Sequence, residues 1–381
     1  EQIANLMSAQ CMLWQTSPAA TELETVMIQW LRQALGLPEG WRGVLQDTAT
    51  SATLSAVLTM RERVVDWRGL QDGLSGGPRM RIYASDQTHS SIDKAIRLAG
   101  IGQNNLVKVP TDDDFAMRPD LLEQAIAQDR AAGYVPAGII GCIGGTSIGA
   151  SDRLNEILAI ACREGIYSHV DAAWAGSAMI CPELRWIWQG IELADSVVFN
   201  PHKWLGANFD CSVQFLKEPA EQIRTLAIRP HYLETLGTDQ ITNYSEWTIP
   251  LGRRFRALKL WFLIRAHGLE GLRERIRNHV RWAGEAADLI SRLPNMEVVT
   301  APRLALFTFR FTPSGMDPDQ ATRTLLERIN NDGRTYLTQT THRDQFVIRM
   351  SIGHFETTWD DVRAAIEVIH ELAEEVRNSK T

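Results

Sequence analysis

The chain has 381 residues, 44% of them hydrophobic and 22% charged, with a formal net charge of −7. This length supports a large core and a second, smaller domain, and the acidic balance argues against nucleic acid or an anionic membrane surface as a partner. No apolar stretch is long enough to span a bilayer; the five cysteines (11, 142, 162, 181, 211) are odd in number and never spaced C-x-x-C, so no disulfide framework and no metal site is expected, and a reducing, cytoplasmic setting is.

In chain order, Pro18 to Leu35 carries apolar residues at helical spacing (Leu23, Val26, Met27, Trp30, Leu31, Leu35) behind a Ser17-Pro18 start. After a break at residues 36–40, the small, polar run from Val44 to Thr53 is expected to open a helix through Arg63. The N–H groups at such a start are unpaired and partly positive, which suits either a phosphate or a plain helix cap. From Met80 onward, short apolar runs (81–84, 106–109, 137–143, 166–170, 196–199, 211–216) alternate with helical patterns (91–98, 119–131, 153–163 and, less regularly, 183–194). That alternation predicts crossover units and an α/β fold with a mainly parallel sheet flanked by helices. Beyond Pro219 a helical patch leads into a polar segment, 229–246, and then into long helices over 251–266 and 269–293. Strands at 304–311 and 346–352 with helices at 317–330 and 358–376 close the chain as a compact α+β unit. The expected organisation is an N-terminal segment 1–45, a large domain 46–275 and a small domain 276–381.

Ligands of parallel sheets lie beyond the carboxyl ends of the strands. Four predicted strands end in polar residues of complementary kinds: Ser85-Asp86-Gln87-Thr88-His89 after 81–84, Gly144-Gly145-Thr146-Ser147 after 137–143, Asp171-Ala172-Ala173 after 166–170, and Asn200-Pro201-His202-Lys203-Trp204 after 196–199. Lys203 stands out because the chain has six lysines against 33 arginines. A partly desolvated lysine gives up its proton and attacks carbonyls, which an arginine does not; otherwise such a lysine snorkels from a strand end. Asp171, 32 residues earlier on what reads as a neighbouring strand, is otherwise a turn or cap residue. Together these groups meet the needs of pyridoxal phosphate: a lysine for the aldehyde, a carboxylate for the pyridine nitrogen and backbone donors for the phosphate.

His-Val-Asp-Ala-Ala-Trp (169–174) with Asn-Pro-His-Lys-Trp (200–204) resembles the group II pyridoxal-phosphate decarboxylases, and most of all the aromatic L-amino acid decarboxylases. The resemblance extends through Ser17–Glu24, Ser85–Ser91, Asn208–Ser212 and Pro250–Arg256, in the family's order. It implies the type I fold of these enzymes, acting as a homodimer with shared active sites. Lys203 is then the residue of the internal aldimine, and Asp171 the partner of the pyridinium. His89 stacks on the ring, Ala173 packs on its other face and Thr146 lies beside it, while Ala49, Thr50, Asn200 and His202 hold the phosphate. Tyr232, in the polar segment, matches the family's proton donor to the quinonoid. The related aldehyde synthases usually carry phenylalanine there, or asparagine at the position of His89. Met12, Trp14 and Gly252 fall at pocket positions, and most of the family's N-terminal helical arm is not in the sequence. The implied reaction is decarboxylation of an aromatic L-amino acid to its amine. The alternatives are an oxidative aldehyde synthase, a glutamate or histidine decarboxylase, and a cofactor-free interaction protein.

Overall fold

The structure, a computed structural model, describes residues 1–228 and 241–378. It divides into two compact units, one made of residues 1–145 and 151–272 and the other of 146–150 and 273–381. Residues 1–45 are part of the first unit, and the turn 146–150 belongs to the second.

The first unit is built on seven strands: β1 (Arg42–Gln46), β2 (Met80–Ser85), β3 (Leu106–Val109), β4 (Val135–Cys142), β5 (Tyr167–Asp171), β6 (Ser196–Phe199) and β7 (Ser212–Leu216). Their order across the sheet is β1-β7-β6-β5-β4-β2-β3. From β3 to β6 all pairs are parallel, whereas β7 runs antiparallel to both β6 and β1. Two reversals restore direction, so β1 points the same way as β6. Its carboxyl end therefore reaches the same rim of the sheet as those of β2, β4, β5 and β6.

Helices α1 (Gln2–Met7), α2 (Pro18–Leu35), α3 (Ala49–Val64), α4 (Gly69–Asp72), α5 (Ser90–Leu98), α6 (Pro119–Ala131), α7 (Leu154–Glu164) and α8 (Pro219–Leu226) connect or flank these strands. The stripe on α2 is Ala20, Thr21, Glu24, Met27, Ile28, Leu31 and Leu35, all buried, and the large apolar members contribute about 1.5–3 kcal/mol each. The helix stops at Gly36, whose φ of +73° favours a residue without a Cβ. The central strands are buried on both faces, β5 with the polar Ser168, His169 and Asp171 among its buried residues.

Two features of this unit differ from expectation. Residues 44–46 form most of a strand, β1, and the helix opens later, at Ala49. The segment expected as a helix over 183–194 is two short tight turns, Pro182–Trp188 and Ile191–Leu193. Gly190 separates them at φ +92°, and a Cβ there would lie 2.5 Å from Asn155 Cα. The two long helices are found within α9 (Arg256–Ser291), broken as expected between them, where Gly268 leaves helical space at φ +65° and ψ 169°.

The second unit has an antiparallel sheet ordered β10-β11-β9-β8, with β8 at Met296–Arg303, β9 at Leu306–Phe311, β10 at Thr338–His342 and β11 at Gln345–Ser351. Helices α10 (Pro318–Asp332) and α11 (Trp359–Asn378) complete it. Asp317 caps α10 by accepting the N–H of Gln320 at 2.9 Å. Neither β8 nor β10 stands out in the sequence.

Candidate active site

The common rim gathers most of the predicted residues. Asp171 ends β5, and β6, which leads into the Lys203 turn, pairs directly with β5. The Asp171 side chain is only 5% exposed; its Oδ1 accepts the N–H of Ala173 at 3.0 Å, and Oδ2 has no partner among the described residues. Lys203 sits in the tight turn Pro201–Leu205 with φ −100° and ψ −111°, outside helical space, and is exposed. Its ammonium makes no hydrogen bond or ion pair among the described residues. Both charges are felt by Cys142, the last residue of β4. Burial pushes its thiol pKa well up, the charges of Asp171 and Asp152 push it further, and Lys203 opposes them.

The turn around Lys203 is held from several sides. The N–H of Asn200 donates to Ala173 O at 2.9 Å, and Asn200 Oδ1 accepts from Ser212 Oγ at 2.7 Å. His202 is clamped to Cys211, its N–H donating to Cys211 O at 3.1 Å and its Nδ1 accepting the Cys211 N–H at 2.9 Å. Burial lowers the His202 pKa, so the imidazole is kept neutral with Nδ1 as acceptor. Trp204 stacks on Trp174 at 4.9 Å between ring centroids. These contacts fix the backbone of the turn while the lysine side chain stays free.

The start of α3 lies alongside. Thr48 caps the helix, accepting the Ser51 N–H at 3.4 Å, and the N–H groups of Ala49 and Thr50 have no acceptor within the helix. The level is set by register, since Gln46 of β1 pairs with Ser212 of β7, and Ser212 Oγ reaches both Asn200 Oδ1 and, at 3.4 Å, Asp47 O. His89 is at the same rim, beyond β2. It caps α5, its Nδ1 accepting the Ser91 N–H at 3.1 Å, and is exposed.

Thr146 belongs to the second unit, and Tyr232 lies outside the described residues. Met12, Trp14 and Gly252 lie where residues 10–14 meet residues 243–253. Met12 O accepts the Ser245 N–H at 3.1 Å, the Trp14 N–H donates to Asn243 Oδ1 at 3.0 Å, and Gly252 abuts Gln10.

Two buried groups at the site escaped the sequence reading. His169, fully buried on β5, has Nδ1 2.7 Å from Ser196 Oγ and Nε2 3.4 Å from Thr53 Oγ1, which ties α3 to the strands beneath it. Burial pushes its pKa down to about 3. The second is the ion pair of Glu24 and Arg253, both 2% exposed, with Arg253 Nη2 2.6 Å from Glu24 Oε1. Glu24 Oε1 also accepts the Leu45 N–H at 2.9 Å, and Arg253 Nη2 donates to Leu45 O at 2.7 Å, so the pair grips β1 just before it delivers the start of α3. Their 229-residue separation hides the pair in the sequence, although a glutamate in the apolar stripe of α2 was a signal.

A free lysine, a buried carboxylate with one open oxygen and a helix start with open N–H groups are the donor set that an aldehyde, a pyridine nitrogen and a phosphate call for together. Pyridoxal phosphate fits these residues. The comparisons agree: residues 1–312 match the family model described as the pyridoxal-dependent decarboxylase conserved domain. The chain belongs to the pyridoxal-dependent decarboxylase family and is a pyridoxal-phosphate-dependent carboxy-lyase.

Within that family it is most like the aromatic-L-amino-acid decarboxylases. It is 41% identical over 373 residues to the aromatic-L-amino-acid decarboxylase of Sus scrofa, covering 92% of this chain and 75% of that protein. It is 38% identical, again over 373 residues, to the phenylacetaldehyde synthase of Arabidopsis thaliana, covering 94% and 75%. The crystal structure of Oryza sativa TDC with PLP and tryptamine superposes with a TM-score of 0.94 at 35% identity, over 99% of this chain and 80% of that one. The fold is thus the type I fold that the resemblance implied, and the activity is that of an aromatic amino acid decarboxylase or a related aldehyde synthase.

Proposed function

We propose that the protein converts an aromatic L-amino acid into its amine and CO₂ at this rim. The observation that carries the reading is Asp171 on β5 beside the free Lys203 on the turn after β6, next to the open start of α3. When bound, pyridoxal phosphate supplies an aldehyde for the amino group and a protonated ring that accepts the electron pair left as CO₂ departs.

The chain's own residues do the rest. Lys203 would hold the aldehyde of the cofactor, a task for an amine that can lose its proton. Asp171 holds the proton on the ring nitrogen, and its burial strengthens that pairing. The N–H groups of Ala49 and Thr50 hold the phosphate with the α3 dipole behind them, and Asn200 and His202 flank them. His89 covers one face of the ring and Ala173 the other. Tyr232 donates a proton to Cα, so that the substrate loses CO₂ and gains one proton overall.

A second reading, oxidative conversion to an aldehyde, is favoured by the identity to the Arabidopsis phenylacetaldehyde synthase. The deciding experiment supplies the purified holoenzyme with tryptophan, 5-hydroxytryptophan, DOPA, tyrosine, phenylalanine, glutamate and histidine, and quantifies every product. Equimolar amine and CO₂ from an aromatic substrate, without peroxide, is the expected result. Aldehyde, ammonia and peroxide as the main products replace it with the second reading. A preference for glutamate or histidine overturns the substrate class.

A further inference from the structure

Asp152 is a carboxylate buried to 3% exposure that no step above uses. It stands just ahead of α7, yet it is not that helix's cap; the N-cap residue is Arg153. Its oxygens turn back to the sheet, Oδ2 accepting the Cys142 N–H and Oδ1 the Met117 N–H, each at 2.7 Å. Its own N–H donates to Cys142 O at 2.8 Å. Cys142 is therefore gripped through both of its main-chain groups.

The location explains the need. The β2–β4 ladder ends at Ala84 opposite Ile140, so β4 runs on two residues past its partner, at the point where the strand order reverses. There the Cys142 N–H and C=O face a gap that no strand fills, and a buried, unmet main-chain pair is costly. On its other side β4 is bonded to the Asp171 segment. Cys142 pairs with Asp171, and the Ile143 N–H donates to Asp171 O at 2.9 Å. Gly144 follows at φ +70°, packed so closely on the chain after Asp171 that a Cβ there would lie 2.3 Å from Ala175 Cβ.

We infer that Asp152 is a positioning residue for the pyridinium partner, its carboxylate fixing the end of β4 against which the Asp171 segment is registered. The inference rests on the reading of Asp171 as the group that faces the ring nitrogen. Desolvation pushes the Asp152 pKa up to about 6, and the charges of Asp112 and Asp86 add to the rise. A charge held under such opposition is costly, which a backbone turn of no consequence would not require. Replacing Asp152 by asparagine keeps the shape but presents an NH₂ group to one of two N–H donors, so one of the two bonds is lost.

The test compares the wild-type protein with Asp152→Asn and with Asp129→Asn. Asp129 lies on α6, where it receives the Tyr83 hydroxyl at 2.9 Å and pairs with Arg81, away from the rim. Apo-protein is titrated with pyridoxal phosphate, and the visible circular dichroism of the bound cofactor is read at saturation, where it reports how the ring is oriented. Asp152→Asn should weaken cofactor binding roughly tenfold and change the dichroic band per bound cofactor, whereas Asp129→Asn should do neither even if it lowers the melting temperature. Wild-type affinity and dichroism in Asp152→Asn overturn the inference. So does the same change in both variants, which marks a general loss of stability. Failure of the wild-type protein to take up the cofactor overturns instead the reading of the site. If Asp152→Asn does not fold, Met117→Pro removes one of the two N–H donors while leaving the carboxylate. A folded Met117→Pro protein with wild-type affinity and dichroism then overturns the inference, and a weakened, altered one supports it.

Discussion

Replacing Glu24 by leucine should destabilise the protein out of proportion to the size of the change. The side chain lies in the buried stripe of α2, so leucine suits the surroundings, but the substitution strands Arg253. That guanidinium makes four hydrogen bonds, to Glu24 Oε2 at 3.0 Å and Oε1 at 2.6 Å and to the carbonyls of Cys11 at 3.2 Å and Leu45 at 2.7 Å. Leucine leaves the two carbonyl bonds and removes the only carboxylate on a cation that is 2% exposed. Breaking a buried pair from one side costs about 3–5 kcal/mol, which in a protein of this size lowers the melting temperature by about 4–6 °C. Replacing both partners by apolar residues of similar volume, Glu24→Leu with Arg253→Met, removes the stranded charge and should recover most of the loss. Thermal and urea unfolding of the apo-proteins measures this without the contribution of bound cofactor. A Glu24→Leu protein that melts within 2 °C of wild type, or a double variant less stable than both singles, would refute the reasoning.

Lys203→Ala should still bind pyridoxal phosphate through the start of α3 and Asp171 but should lose borohydride-stable attachment of the cofactor, checked by mass spectrometry of the reduced protein. Tyr232→Phe should shift products from amine toward aldehyde and peroxide, and an unchanged product ratio removes Tyr232 from the proton step. His169 takes up its proton near pH 6.5 when unfolded but only at about 3 when folded. The unfolded state therefore binds more protons in that window, and stability falls as pH drops through it, by up to about 1.4 kcal/mol per unit. Between pH 7 and pH 5 the urea-unfolding free energy of His169→Gln should decline by roughly 2 kcal/mol less than that of wild type, and equal declines contradict the assignment.

What the sequence disclosed follows from where apolar residues are concentrated. Strands β2 to β7 lie inside the sheet or carry a dense apolar run, and each is visible as such. The misses fall at sheet edges, where one side of the strand meets solvent. Residues 338–342 of β10 are Thr-Gln-Thr-Thr-His, alternating half-buried and exposed, and β8 buries only Met296 and Thr300. At β1 the small polar residues that follow drew the boundary of α3 forward into the strand. The shared rim position of Lys203, Asp171, His89 and the start of α3 was legible because it follows from residue type at strand ends. The site was not legible where a residue acts on a distant backbone, as Asp152 does on Cys142 or Arg253 on Leu45, because such a role leaves no local pattern.

The antiparallel return of β7 has a consequence for synthesis. Among the described residues β1, which delivers the start of α3, pairs with no strand but β7. A nascent chain that has not yet released Cys211 to Leu216 from the ribosome thus has its first strand without a partner and its lysine turn without the Ser212 and Cys211 contacts. In the proposed site the start of α3 and the lysine turn are both braced only once Cys211 to Leu216 arrive. Chains terminated before Cys211 should therefore emerge colourless however much of the lysine turn they contain.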